Sequence, residues 1–248
     1  MITKKELEEY SKMRGIRNLG HAEKDYFQNI ILFILYQNYG NNLVFKGGTA
    51  LNKCFGLDRF SEDLDFTCHD KIDIKKLEDG LKRFKIDFDI ETKEFENGLK
   101  VVIRVKGPLY IGIRSSMCKF IVDLSFRENI ILKPDIKTIG RFLEEIPSFD
   151  VLVMQEKEIL AEKIRAIMSR VKARDAYDLW FLLEKGVEFD ERLVKEKLKY
   201  YKQEWSIREF IKKLNLKKAI WETELRPLVI LVPDFKKVKN SILRSISK

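Results

Sequence analysis

The chain has 248 residues, 45% of them hydrophobic, with a formal net charge of +9 at neutral pH and a pI near 9.2. That is enough length and apolar content for one large globular domain or two small ones with real cores. The basic balance suits a polyanionic partner such as nucleic acid better than an acidic small molecule, although solvated lysines in a Lys-, Glu- and Ile-rich chain give the same sum. Cys54, Cys68 and Cys118 have no CxxC spacing and an odd count, which suggests buried thiols and neither a disulfide framework nor a zinc site.

Residues 3–13 read as a short charged helix, and 21–39 as a longer one whose Ile30, Ile31, Phe33, Ile34 and Leu35 feed a core. Residues 30–36 are the most apolar early run and are far too short to span a bilayer. With no signal-peptide pattern at the N-terminus, a cytoplasmic location and no membrane partner are expected. His21 and His69 are assigned no role.

The stretch 43–66, LVFKGGTALNKCFGLDRFSEDLDF, carries the chemistry. A short apolar run ends at Lys46. Gly47 and Gly48 follow, then Thr49 and a short helical pattern. Arg59, Ser61 and the pair Asp63-x-Asp65 close it inside a second apolar run. Strand periodicity puts Asp63 and Asp65 on one side and Leu64 on the other. Two adjacent carboxylates stay ionised at pH 7 only with a cation between them or free access to water. Magnesium fits, being hard and usually held by one or two carboxylates plus substrate phosphates. Backbone N–H groups at a glycine turn leading into a helix form an anion cradle. Together these features point to a nucleoside triphosphate with Mg²⁺.

Residues 72–84 read as a helix. Runs at 86–92, 99–106, 110–115 and 119–126 read as strands of a small mixed, mostly antiparallel sheet, punctuated by Gly98 and Gly107-Pro108. Asp123 sits alone in an otherwise apolar strand, costly unless paired or cation-bound. It is either a further metal carboxylate or an acid closing a turn or pairing with Arg114. Residues 133–147 read as a strand-poor connection and 151–154 as a short apolar run. From Gln155 the pattern is helical, which places a domain boundary near residue 150.

On the helix EKEILAEKIRAIMSR, Ile159, Leu160, Ile164 and Ile167 form the apolar stripe, while Glu162, Lys163 and Arg165 fall off it. Asp175 and Asp178, three apart on the next helix, share a face. Read alone, Asp175 is a cap, with Arg174 and Asp178 in surface salt bridges.

The 43–66 stretch resembles the signature of the DNA-polymerase-β-like nucleotidyltransferases: a glycine turn, ten or more residues, then Asp-x-Asp. More narrowly, GGTALNKCFGLDRFSEDLDF, AEKIRAIMSRVKARDAYDL and KKAIWETELRPLVILVPDFKKV, in that order, resemble the AbiEii/AbiGii toxin family. The resemblance is weakest over residues 70–148, and Thr49 stands where the wider superfamily often has Ser. It implies an α+β fold: a polymerase-β-like nucleotidyltransferase domain over 1–150, then a helical domain over 151–248 completing the active-site cleft. It implies Asp63, Asp65 and Asp123 as Mg²⁺ ligands and Asp123 as candidate base. Lys46, Gly47, Gly48, Thr49, Arg59, Ser61 and Lys163 are the implied nucleotide-binding groups, Arg59 and Ser61 either touching phosphate or supporting the acids. Lys163 would neutralise triphosphate charge, and Asp175 or Asp178 would order Lys163 or engage the acceptor. The implied activity moves an NMP from an NTP to the 3′ end of tRNA, blocking translation, in a type IV toxin–antitoxin pair with a cognate antitoxin. A protein or antibiotic hydroxyl as acceptor, and an inactive NTP- or RNA-binding module, are the alternatives. The basic segment 192–218, with Tyr200, Tyr201 and Trp205, reads equally as an RNA surface or as packed helices.

Overall fold

The computed structural model describes residues 2–126, 130–140 and 146–246. In chain order these form α1 (Lys4–Arg14), α2 (Leu19–Tyr39), β1 (Leu43–Lys46), α3 (Gly47–Phe55), β2 (Leu64–Cys68), α4 (Ile74–Arg83), β3 (Phe88–Phe95), β4 (Gly98–Val105), β5 (Cys118–Ser125), β6 (Asp135–Ile139) and β7 (Phe149–Val153). Helices then take over: α5 (Glu156–Ser169), α6 (Ala173–Glu184), α7 (Glu191–Lys199), α8 (Ile207–Asn215), α9 (Trp221–Leu225) and α10 (Phe235–Ile246). The fold is α+β, as expected.

Local chemistry sets the helix ends. Thr3 and Glu6 form a reciprocal capping box at the start of α1, and Gly15 ends it in the left-handed region at φ 65°. Asn18 caps α2 through the His21 N–H. The expected strand at 110–115 is absent. Gly112 turns at φ 89° and a 3₁₀ turn follows at Arg114–Ser116, so the segment is a loop.

The described residues group into two compact units, and the division is less simple than one cut near residue 150. One unit draws on 1–49, 62–127 and 136–153, the other on 50–61, 128–135 and 154–248. The division falls inside α3.

The first unit is built on a seven-stranded mixed sheet in the order β3-β4-β5-β2-β1-β7-β6. The pairs β1–β2, β3–β4 and β4–β5 are antiparallel, and β1–β7 and β2–β5 are parallel. The segment read as strand-poor contributes β6; residues 141–145 of it lie outside the described residues. The sheet buries one face. Leu99, Val101, Ile103 and Val105 on β4, Phe120, Val122 and Leu124 on β5, and Phe66 on β2 are all buried, each separated from the next by a residue of the other face. Helix α2 covers that face, with Phe27 edge-on to Phe120 at 6.0 Å and Tyr36 6.3 Å from Phe66. Burial of each such side chain stabilises by about 1.5–3 kcal/mol.

The second unit is helical, with α5 against α6, α7 and α8. Lys197 of α7 is wholly buried, its Nζ 2.7 Å from Glu158 and 3.2 Å from Glu162 on α5. Lys217 donates to the Ile167 and Arg170 carbonyls at 2.7 and 2.8 Å, satisfying the end of α5. Burial lowers the Lys217 pKa to about 8. Trp205 packs against Phe189 and Phe210, and Tyr201 lies 4.5 Å from the Arg165 guanidinium. Two of the three aromatics proposed for RNA are thus packing groups, while Tyr200 is exposed. Among the described residues no helix is long and apolar enough to cross a membrane.

Candidate active site

The strand register assembles the first half of the site. Lys46 on β1 stands opposite Asp65 on β2, Asp65 opposite Asp123 on β5, Asp123 opposite Lys100 on β4, and Lys100 opposite Lys93 on β3. Directly opposed residues share a face, so Asp65 and Asp123 are neighbours on the side of the sheet away from α2. Lys100 Nζ lies 3.8 Å from Asp123 Oδ2. Arg114, the alternative partner for Asp123, instead pairs with Glu91 at 2.6 Å.

Asp63 precedes β2 by one residue, and its carbonyl accepts the Thr49 hydroxyl. Thr49 is fully buried, so this hydroxyl fixes the backbone of the acid pair rather than facing a phosphate. That corrects the role expected for its side chain. Gly47 and Gly48 open α3 directly after β1. Gly47 has φ 76°, and a Cβ there would lie 2.3 Å from Asp65 Oδ2. Only glycine lets the turn approach the carboxylate this closely. The α3 N-terminus, with its outward N–H groups, therefore begins beside Asp65.

Among the described residues, no three His, Cys, Asp or Glu side chains gather closely enough to hold a metal ion by themselves. The structure brings Asp65 and Asp123 together without closing Asp63 into a three-acid cage. Two register-paired carboxylates beside a glycine turn fit a magnesium ion shared with substrate phosphates, the usual mode for this ion.

The second unit holds a different arrangement. Asp178 is fully buried and gripped by Arg59, whose Nε and Nη2 donate to Oδ1 and Oδ2 at 2.5 and 2.7 Å. Arg59 Nη1 donates to the Phe60 carbonyl. Arg59 is itself buried, so its fork is spent on Asp178 rather than offered to a nucleotide. Asp175, also fully buried, is gripped by Arg170 through two bonds of 2.8 Å. Lys163 Nζ sits between the two acids, 2.7 Å from Asp178 Oδ2 and 3.7 Å from Asp175 Oδ1. Burial alone would raise both carboxyl pKa values. The hydrogen bonds and charge of Arg170 and Lys163 outweigh it and hold Asp175 at about 2. Arg59 and Lys163 likewise keep Asp178 below the usual range. Arg59, Arg170 and Lys163 thus surround the two carboxylates.

This cluster is neither a cap nor a set of surface salt bridges. Lys163, expected off the buried stripe, is 9% exposed because its charge is matched inside. Ser61 is half-buried. Sequence reasoning missed Arg170, Lys217 and Lys100. Arg170 carried a faint signal, a cation at a helix end five residues before an acid on the next helix.

The family described as nucleotidyl transferase AbiEii toxin, type IV toxin–antitoxin system, matches residues 31–242. None of the curated protein sequences is significantly similar to the chain. MenT4, a nucleotidyltransferase toxin from Mycobacterium tuberculosis H37Rv, superposes with a TM-score of 0.68 at 20% identity, over 100% of this chain and 89% of that one. JHP933 from Helicobacter pylori gives 0.62 at 20% identity, over 92% and 90%. At such identity the likeness is one of fold.

Proposed function

The chain belongs to the AbiEii family of nucleotidyltransferase toxins, and from that premise we propose that it transfers an NMP from a Mg²⁺-bound NTP to the 3′-terminal hydroxyl of an RNA, with tRNA as the target. The observation that carries this reading is the register pairing of Asp65 with Asp123 beside a glycine turn that has no room for a Cβ.

Asp65 and Asp123, with Asp63 adjoining, would hold the ion, which when bound neutralises charge on the triphosphate and the leaving oxygens. The N–H groups of Gly47 and Gly48 bind phosphate oxygens, and Lys46 lies next to Asp65 in the same row. Asp123 accepts the proton of the acceptor hydroxyl. That oxygen bonds to the α-phosphorus as the bond to the β-phosphate oxygen breaks, and pyrophosphate leaves with the electron pair. Asp175 and Asp178 hold Lys163, since both contact its ammonium group. As a type IV toxin the chain acts opposite a cognate antitoxin, in the cytoplasm.

The test is incubation with each α-labelled NTP and Mg²⁺, with total RNA in one arm and total protein in the other. Label on RNA that disappears with EDTA is the expected result. Label confined to protein would move the acceptor to another class, and no label in either arm would overturn the transferase reading.

A further inference from the structure

Two like-charged pairs face each other on the open side of the sheet. Lys93 stands opposite Lys100 across β3 and β4, and Arg104 opposite Lys119 across β4 and β5. Like charges directly opposed destabilise strand pairing, and this face has two such pairs, four residues apart along β4. Between them Val102 stands opposite Ile121, both half-exposed. The Lys93–Lys100 row runs straight into Asp123 and Asp65.

Internal acids offset this charge only in part. Asp89 stands opposite Arg104 and Glu91 opposite Val102 on this same face. Arg104 pairs with Glu91 at 2.8 Å and Lys100 lies near Asp123, so the exposed lysines Lys93 and Lys119 carry the basic character. Lys93 is exposed, its Nζ 5.2 Å from the Phe95 ring centroid. Lys119 is exposed and has no ion-pair partner among the described residues. With Trp205 and Tyr201 committed to packing, the helical segment 192–218 is the weaker candidate for contact with a polyanion.

We propose that this open face of β3, β4 and β5 is the acceptor platform. A single-stranded RNA end lies across it, with phosphates on the Lys93/Lys100 and Arg104/Lys119 pairs and a ribose or base on Val102 and Ile121. The strand's terminal hydroxyl reaches Asp123. The occupant follows from charge complementarity and from the continuity of the basic row with the acids that would take the hydroxyl proton. With no aromatic between the basic rows, the platform reads the backbone and not base identity. The proposal rests on the nucleotidyl-transfer reading.

The test is the full-length Lys93→Ala/Lys119→Ala double variant, read by anisotropy of a labelled single-stranded RNA across a salt series and by steady-state transfer to that RNA. The slope of log affinity against log salt should fall by about 1.4, or about 0.7 for each phosphate contact on a single strand. The KM for RNA should rise about tenfold at 0.1 M salt, with kcat and Mg·NTP binding unchanged. A Lys93→Arg/Lys119→Arg variant should restore both. Unchanged affinity and slope would overturn the proposal, as would a fall in kcat alone or a native chain that binds no RNA. Intact RNA binding with lost binding of an acidic polypeptide such as polyglutamate would assign the face to a protein and also overturn it. A native chain that binds RNA through these lysines but transfers nothing would sink the transferase reading and leave the platform standing.

Discussion

Four aspartates do opposite jobs in two parts of this chain. Asp175 and Asp178 in the helical unit are fully buried, each gripped by an arginine fork with Lys163 between them. Asp65 and Asp123 lie on the open face of the sheet, where Asp123 is 47% exposed and its nearest cation is Lys100 at 3.8 Å. A buried carboxylate stays charged only if the protein supplies the compensating cation. Asp123, half-exposed, can also be compensated by water and by a cation that arrives with substrate. The first pair holds Lys163 inside the helical unit, and the second is the pair to which the proposed transfer assigns the metal.

The sharpest way to break this contrast is to remove one acid from each pair. Asp65→Ala should cut NMP transfer by at least about 10³-fold, as loss of a metal ligand and its charge stabilisation would. It should leave denaturant stability within about 0.5 kcal/mol, typical of a substitution away from the core. Asp178→Ala should instead cost about 3–5 kcal/mol of stability, because Arg59 is left buried and uncompensated. Equal losses of stability from the two would show that the distinction is false.

A smaller effect is expected from Gly47→Ala. The added Cβ must displace Asp65 Oδ2, from which it would lie only 2.3 Å away. Transfer should fall about 10²-fold, the scale of an ångström-level misplacement. The left-handed backbone adds about 1–2 kcal/mol of destabilisation.

The mildest test is pH. Asp175 is held at about 2, below its unfolded value, so the unfolded chain binds more protons as pH falls. Its contribution to stability is complete above its unfolded pKa and is lost as pH falls through about 2. Melting temperatures from pH 5 to 2 should show that decline. In Arg170→Ala the decline should be smaller, because without those hydrogen bonds burial moves the folded pKa of Asp175 up toward its unfolded value.

Much of this was legible in the chain itself. Asp123 stood out as one acid in an apolar run, while its place beside Asp65 on the open face came from the strand register. The glycine turn and Asp-x-Asp were readable because each is a local pattern. Arg59 was not readable, since its partner Asp178 lies 119 positions away. Thr49 had the right chemistry but the wrong target, because nothing local reveals that its hydroxyl meets the Asp63 carbonyl. Lys163 and Glu162 broke the apolar stripe yet are buried, because periodicity weighs polarity and not the ion pairs that neutralise it. Strand β6 fell inside the segment read as a connection, and β7 read only as a short apolar run because its parallel partner β1 lies far earlier in the chain.

The missing side chain at Gly47 has a genealogical consequence. Positions 47 and 65 cannot drift independently, since anything larger at the first crowds the acid at the second. Descendants that gain a methyl there should also be found with the neighbouring aspartate shortened or gone, so inheritance at these two sites should be coupled, and a lineage that has abandoned catalysis should lose them together.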